Sequence, residues 1–256
     1  MKVSRRTFLK VAGISLMGGG VRPALEALGA GESSKMLAGP NRPAGKRWAM
    51  GIDTKKCTPG CHDCIDACHR EHNVPDFGNP KDEVKWIWNE PFKDVFPGQD
   101  HAYADEKRRE KPVLVLCNHC DNPPCVRVCP TQATFKRKED GIVMMDYHRC
   151  IGCRFCIAGC PYGARSMNFR DPRPFIKKIN PQFPTRTKGV VEKCNFCEER
   201  LARGLMPACV EACKEKALVF GDLEDPQSEI RKIIQAQGTL RRKPELGTKP
   251  QVYYSV

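Results

Sequence analysis

Short apolar or alternating segments recur along the 256-residue chain, and each lies just before a segment that is rich in cysteine. They span residues 48–53, 113–116, 142–146 and 190–191. Apolar stretches of this length, with valine, isoleucine and tryptophan among them, are typical of short β-strands. The pattern therefore predicts four short strands, each of which leads into a loop.

A second repeated pattern follows three of the cysteine-rich segments. In each case, a few turn-forming or polar residues come first, then an alanine, and the segment ends in apolar residues. These segments are residues 130–135, 161–169 and 214–220. We predict one helical turn and then another strand in each, so that the strand–loop–turn–strand unit is an internal repeat. Residues 134–138 and 141–145 flank a Glu-Asp-Gly sequence, which predicts a β-hairpin.

Only one further segment has a clear helical pattern. Residues 226–238 place Ile230, Ile233 and Ile234 on one face, which predicts a short amphipathic helix. The 21 glycines and 21 prolines interrupt most other segments, so no long helix is predicted.

The sixteen cysteines form four groups of four with none left over. The groups are Cys57, Cys61, Cys64, Cys68; Cys117, Cys120, Cys125, Cys129; Cys150, Cys153, Cys156, Cys160; and Cys194, Cys197, Cys209, Cys213. A cubane [4Fe–4S] cluster takes four thiolates, so sixteen thiolates match four clusters. Four clusters in one small chain indicate a protein that transfers electrons from one cluster to the next.

The third run has the most specific spacing. It matches the bacterial ferredoxin pattern C-x2-C-x2-C-x3-C-P residue for residue and ends at Cys160 and Pro161. Its first three cysteines can wrap one face of a cube. We predict that the fourth lies at the start of a helix and points at a different cube, because the proline changes the chain direction. Two such runs would then exchange their fourth ligands.

Two other uses of clustered cysteines are possible. Structural zinc sites usually come as two pairs separated by a spacer, not as four cysteines in one short run. Disulfides are common in exported cysteine-rich chains, but cysteines this close within a run cannot easily pair without strain. Iron–sulfur ligation explains the spacing better than either alternative.

The clusters are predicted to be the core of the fold. Few apolar segments remain to build one without metal, so folding should depend on cluster binding. Residues 69–112, which contain Trp86 and Trp88, and residues 161–189 are insertions between runs, and we interpret them as loops that face partner proteins.

The N-terminus predicts export. Arg5 and Arg6, followed by Phe8 and Leu9, match a twin-arginine signal, and a short glycine-rich apolar stretch follows them. We assign residues 1–30 to the signal and residues 31–45 to a linker. This route exports folded proteins, so clusters can be loaded in the reducing cytoplasm. No later segment has the length of a membrane span.

The formal net charge of +13 does not indicate nucleic-acid binding. Part of it belongs to the signal, and four clusters with their thiolates carry enough negative charge to bring the mature protein close to neutral. The remaining lysines and arginines are scattered and not interleaved with aromatic residues, whereas a nucleic-acid interface needs a clustered patch.

The cysteine runs and the segment from Leu246 to Tyr254 resemble the four-cluster ferredoxin-like subunits of the dimethyl sulfoxide, polysulfide and nitrite reductase class. The signal and residues 68–75 are most similar to the periplasmic DsrO-type subunit of the Dsr transmembrane complex. The resemblance implies an α+β fold of two interlocked ferredoxin-like (βαβ) modules with long insertions. Within residues 46–256, residues 48–68 and 190–221 would form one module, 113–170 the other, and 222–256 a C-terminal tail.

The resemblance also implies which cysteines share a cluster. The four sets would be Cys57, Cys61, Cys64 with Cys213; Cys194, Cys197, Cys209 with Cys68; Cys117, Cys120, Cys125 with Cys160; and Cys150, Cys153, Cys156 with Cys129. Three residues separate Cys57 from Cys61 where many relatives have two, and Lys214 replaces a proline. These departures concern the first set.

Histidine can replace cysteine as an iron ligand. Five histidines lie in or near the runs: His62, His69, His72, His119 and His148. Because sixteen thiolates are already present, a hydrogen bond from histidine to a ligand sulfur is the better interpretation.

Two functional classes follow. In the first, a non-catalytic subunit relays electrons between an NrfD-type quinone-interacting membrane subunit and a periplasmic multihaem cytochrome c. In the second, it serves a molybdopterin catalytic chain. A zinc-stabilised interaction module is a more distant alternative. No nucleotide-binding loop, flavin motif or acid–base pair is recognisable, so we predict no catalytic residues.

Overall fold

The computed structural model describes residues 45–256 except Pro59, Ala102 and Gln237. The predicted signal and nearly all of the predicted linker lie outside the described residues. The described chain is a mixture of short helices, small sheets and irregular segments, as the predicted α+β class requires. The interlocking of two modules remains a prediction.

Nine strands make up the sheets of the described residues. They are β1 (Trp48–Asp53), β2 (Ile87–Pro91), β3 (Pro112–Leu116), β4 (Thr134–Lys136), β5 (Val143–Met145), β6 (Ser166–Met167), β7 (Val191–Glu192), β8 (Leu218–Asp222) and β9 (Val252–Ser255). The central β1 pairs antiparallel with β8 and parallel with β9. The other strands form the antiparallel pairs β2–β3, β4–β5 and β6–β7. The predicted strands before the cysteine runs are therefore confirmed, as is the β4–β5 hairpin.

The helices of the described residues are short. They are α1 (Asp63–Glu71), α2 (Phe92–Val95), α3 (Glu106–Arg109), α4 (Pro124–Arg127), α5 (Phe155–Ala158), α6 (Glu198–Leu201), α7 (Ala208–Glu211) and α8 (Glu229–Ala236), with 3₁₀ turns at Pro80–Asp82, Pro97–Gln99, Arg173–Phe175 and Pro244–Leu246. Pro124 begins α4, where its missing N–H costs nothing.

Each repeat has a hydrogen-bonded turn after its fourth cysteine, at residues 130–131, 161–162 and 214–215, and a short helix before it that the sequence did not predict. In runs two, three and four this helix carries the third cysteine, and it ends just before the fourth. Proline directly follows the fourth cysteine of runs two and three, and it prevents the helix from continuing. The placement of the fourth cysteine at a helix start was therefore wrong, whereas the predicted following strands are β4, β6 and β8.

The chain has a larger apolar core than the sequence suggested. Trp86 is fully buried and Trp88 nearly so, in a core with the inner faces of β2, β3, β8 and β9. β2 pairs with β3, so residues 87–91 belong to a sheet. The interpretation of residues 69–112 as partner-facing loops was wrong for this part, and the expectation that little core exists without metal was wrong as well.

The C-terminal segment is also part of the core. Val252 and Tyr254 of β9 are fully buried, because β9 runs beside β1. The predicted amphipathic helix is α8, whose Ile230 packs on the β1–β8 sheet. A side chain at Gly51 would approach Ile230 within 2.8 Å, so the small residue permits the contact.

One buried ion pair joins the insertions to the strand that leads into the fourth run. Glu192 and Arg186 are both fully buried, with Nη2 and Oε2 2.5 Å apart. The carboxylate also accepts hydrogen bonds from Trp86 Nε1 at 2.9 Å and from Asn168 Nδ2 at 2.5 Å. Arg186 donates to the carbonyl oxygen of Asn73. The pair therefore links four segments that are distant in sequence.

In the part of the chain that the structure describes, none of the helices is long and apolar enough to cross a membrane.

Candidate metal centres

All sixteen predicted ligands are free thiols. Most are buried, whereas Cys61 and Cys153 are exposed. Disulfide pairing, one of the two alternatives to cluster binding, is therefore not the arrangement of these cysteines.

The first set of thiols lines a cavity of about 250 Å³. Its cysteines are Cys57, Cys61, Cys64 and Cys213. Three of them come from the loop and first turn of α1, and the fourth follows α7, which packs against α1. Burial and the nearby thiols of Cys213 and Cys57 raise the pKa of the Cys64 thiol to about 12.

A second set surrounds a small enclosed cavity deeper in the protein. Its cysteines are Cys68, Cys194, Cys197 and Cys209. Burial, followed by the nearby thiols of Cys197 and Cys194, raises the pKa of Cys68 well above its usual range. One thiol from the first run therefore joins three from the fourth.

The remaining thiols lie around α4 and α5. Burial raises the pKa of Cys160, and the thiols of Cys117 and Cys125 add to the rise. The structure thus brings the last cysteine of the third run to the second run. In the last set, Cys156 lies near Cys150. Cys129 is held by Thr131, whose hydroxyl lies 3.7 Å from its sulfur.

The four sets follow one another in space. Cys64 and Cys209 interact electrostatically across the first and second sets. Cys117 and Cys194 do so across the second and third. Cys125 and Cys156 do so across the third and fourth. The two outer sets contain the exposed cysteines, Cys61 and Cys153.

Tight turns shape the loops that carry the thiols. Gly152 has φ +67°, and a side chain there would collide with the carbonyl oxygen of Gly189. Only glycine combines that conformation with so close an approach. Arg154, Phe196 and Cys197 also have positive φ. At Phe196 this conformation directs the backbone N–H to the sulfur of Cys194, at 3.4 Å.

The polar groups around the thiols fit anionic iron–sulfur clusters. Backbone N–H groups of Ala208 and Ala217 donate to the sulfurs of Cys197 and Cys213 at 3.4 and 3.2 Å. Such bonds favour the charged thiolate. Metal ligation requires thiolates, so binding of the clusters releases the thiol protons.

His119 lies between two ligand cysteines. Its Nδ1 accepts the N–H of Val143 at 3.1 Å, which places the ring proton on Nε2. That Nε2 is buried, and the ring also forms a hydrogen bond with the backbone of Cys194. Burial, followed by the nearby Lys193, lowers the pKa of His119 well below its usual value, so the ring is neutral at pH 7. The neutral ring therefore joins β5 to the backbone of a ligand cysteine and helps to hold that loop in place.

His72 lies beside the second set. Its Nδ1 lies 2.9 Å from the carbonyl oxygen of Cys68 and 3.5 Å from the sulfur of that residue, and its Nε2 lies 2.9 Å from Oε1 of Glu199. A hydrogen bond from this histidine to the sulfur remains a prediction. His72, Cys197 and Glu199 are close enough to hold one metal ion, but Cys197 already belongs to the second thiol set. His62 and His148 are exposed at the surface.

Two buried cations that belong to no recognisable motif lie among the thiols. Arg165 is 4% exposed and donates to the sulfur of Cys125 at 3.1 Å. Lys193 is 1% exposed and donates to the carbonyl oxygens of Val143 and Cys194. Lys193 directly precedes a ligand cysteine, which is the one sequence signal that could have indicated its position.

Comparison with known proteins agrees with these centres. The 4Fe-4S dicluster domain family matches residues 113–173 and 179–223. The Hdr-like menaquinol oxidoreductase iron-sulfur subunit 1 of Archaeoglobus fulgidus is 40% identical over 99% of this chain and 98% of its own length. The iron-sulfur cluster-binding subunit of menaquinone reductase from Nitratidesulfovibrio vulgaris is 36% identical over 81% and 88%. A tetrathionate reductase subunit of Salmonella typhimurium is 38% identical over 99% and 88%.

The chain therefore belongs to the family of ferredoxin-like iron–sulfur electron-transfer subunits of the dimethyl sulfoxide, polysulfide and nitrite reductase class. It is a non-catalytic subunit of an oxidoreductase complex, and its cofactors are [4Fe–4S] clusters. The sixteen thiols are the number that four such clusters need.

Proposed function

We propose that this chain relays electrons through four [4Fe–4S] clusters, from one exposed end of the row of thiol sets to the other. The observation that carries this proposal is the spatial order of the sets, with Cys61 and Cys153 exposed in the two outer ones. When bound, the clusters supply one-electron redox chemistry. The protein holds them in sequence, excludes water from the two inner sets and stabilises their thiolates.

We propose the ligand sets that the resemblance implied. Two cavities support the first and second sets, because each is lined by the four cysteines of one set. The closeness of Cys160 to Cys117 and Cys125 supports the third. The fourth, with Cys129, rests on the remaining four cysteines and on the position of Cys156 beside Cys150.

We also propose the two ends of the relay. One is an NrfD-type quinone-interacting membrane subunit, which the relatives named for menaquinol oxidoreductase and menaquinone reductase support. The other is a periplasmic multihaem cytochrome c of a DsrO-containing sulfur-metabolism complex. The alternative is a molybdopterin catalytic chain, which the relative named for tetrathionate reductase favours. The twin-arginine sequence at Arg5 and Arg6 supports export and attachment to the periplasmic face of the membrane.

A membrane-impermeant lysine cross-linker, applied to spheroplasts of the native host, tests both the partners and the compartment. Lys214 borders the cavity of the first thiol set and is 82% exposed. Lys188 is exposed and precedes Gly189, which contacts the third run. We expect cross-links from these two ends to a polytopic membrane subunit and to a c-type cytochrome.

The matched control is the variant Arg5→Lys with Arg6→Lys, which should remain inside the cytoplasm and form no such cross-links. Cross-links to a large pterin-binding chain would support the alternative partner. Equal labelling of the control variant, or no labelling of the native protein, would contradict export to the periplasm.

A further inference from the structure

Arg165 occupies an unusual position for an arginine. Its guanidinium is almost fully buried and donates from Nη2 to the sulfur of Cys125 at 3.1 Å and to the hydroxyl of Thr134 at 2.7 Å. Cys156 packs in the same buried cluster as Cys125, and Nη1 of Arg165 lies 3.8 Å from the sulfur of Met145, which packs against that cluster. Burial raises the pKa of the Cys156 thiol, and the charge and a hydrogen bond from Arg165 oppose the rise.

The charge of Arg165 is not balanced by a carboxylate. Within residues 45–256, as far as they are described, the groups with the largest effect on its charge are the thiols of Cys125, Cys156 and Cys117, and no aspartate or glutamate is among them. The positive charge of Lys193 lies close by. A buried charge without a counter-charge is costly, and two buried like charges are more so. Anionic groups on the cysteine sulfurs are therefore required to compensate them.

The charge of Arg165 lies between two thiol sets, so the anionic sulfurs of both can balance it. Cys125 belongs to the third thiol set and Cys156 to the fourth, and the two pack together, so one guanidinium lies beside both. Its charge is permanent, because arginine does not lose its proton in proteins. The reduction potential of an iron–sulfur cluster depends on nearby charge and on hydrogen bonds to its sulfurs. A fixed cation stabilises the more negative, reduced form.

We propose that Arg165 is a positioning residue that raises the reduction potentials of two adjacent clusters, those ligated through Cys125 and Cys156. The inference rests on the proposed ligand sets. With Arg165 present, an electron on either of these two clusters is more stable than it would be in the same chain without the guanidinium. Thr134 keeps the guanidinium at the sulfur, since its hydroxyl accepts one of the N–H groups.

The test is a redox titration of the purified holoprotein, in its complex, followed by paramagnetic resonance. In Arg165→Gln we expect two of the four midpoint potentials to fall. Each should fall by at least about 59 mV, which for a one-electron couple corresponds to a tenfold change in the ratio of oxidised to reduced cluster. The matched control is Arg109→Gln, which removes one positive charge from a surface pair with Asp100 and should leave all four potentials unchanged.

Arg165→Lys keeps the charge and should keep both potentials within a threefold change of that ratio. If Arg165→Gln fails to assemble four clusters, a lysine variant that assembles them with near-native potentials supports the role of the charge. Unchanged potentials in Arg165→Gln, an equal shift of all four, or a lysine variant that behaves like the glutamine variant would overturn the proposal. Native protein with fewer than four clusters would instead contradict the proposed function.

Discussion

Replacing Cys160 with alanine should remove the cluster of the second cysteine run and leave the cluster of its own run in place. The reason is that the thiol of Cys160 lies beside Cys117 and Cys125, not with the first three cysteines of its own run. Paramagnetic resonance of the reduced protein should show the loss of one cluster signal, which is the same signal that is lost in Cys120→Ala.

The matched control is Cys153→Ala, a change in the same run as Cys160. It should remove a different signal, because Cys153 is assigned to the fourth set. Comparing the three variants needs no prior assignment of the signals to clusters. If Cys160→Ala and Cys153→Ala lose the same signal, the exchange of fourth ligands between runs is wrong.

Replacing Glu192 with alanine should strongly destabilise the fold. The change leaves the fully buried guanidinium of Arg186 without its carboxylate and leaves Trp86 Nε1 without an acceptor. Breaking one partner of a buried ion pair costs about 3–5 kcal/mol. For a domain of this size we expect the melting temperature to fall by roughly 6–20 °C, measured by circular dichroism at one fixed scan rate under anaerobic conditions.

The control for this prediction is Asp171→Ala, which breaks the exposed pair with Arg173. Exposed pairs contribute little, so its melting temperature should match that of the native protein. If the Glu192→Ala protein has the same melting temperature as the native protein, the buried pair does not hold the insertions to β7.

The local elements were predictable because each is determined by neighbouring residues. Cysteine spacing indicated the cluster loops, and short apolar segments indicated β1, β3, β5 and β7. The short helices at the third cysteines were missed because a three-residue step to the fourth cysteine fits a helical turn on either side of that cysteine. Only the positions of α4, α5 and α7 show that a short helix carries the third cysteine.

The long-range contacts could not be predicted in the same way. Trp86 looked like a loop residue, because its hydrogen-bond acceptor Glu192 is 106 positions away in the sequence. β9 looked like a tail, because its pairing with β1 joins the two ends of the domain. Arg165 carries no motif of its own, and its role follows only from the meeting of Cys125 and Cys156 around it.

The most direct test of the central claim is the iron and acid-labile sulfide content of protein purified without oxygen. Four cubane clusters on sixteen thiolates predict about sixteen iron atoms and about sixteen sulfides per chain. Stoichiometric zinc with little iron would contradict the account and identify the cysteines as structural zinc ligands. Iron and sulfide near sixteen, with four one-electron transitions on reduction, is the result that a four-cluster relay requires.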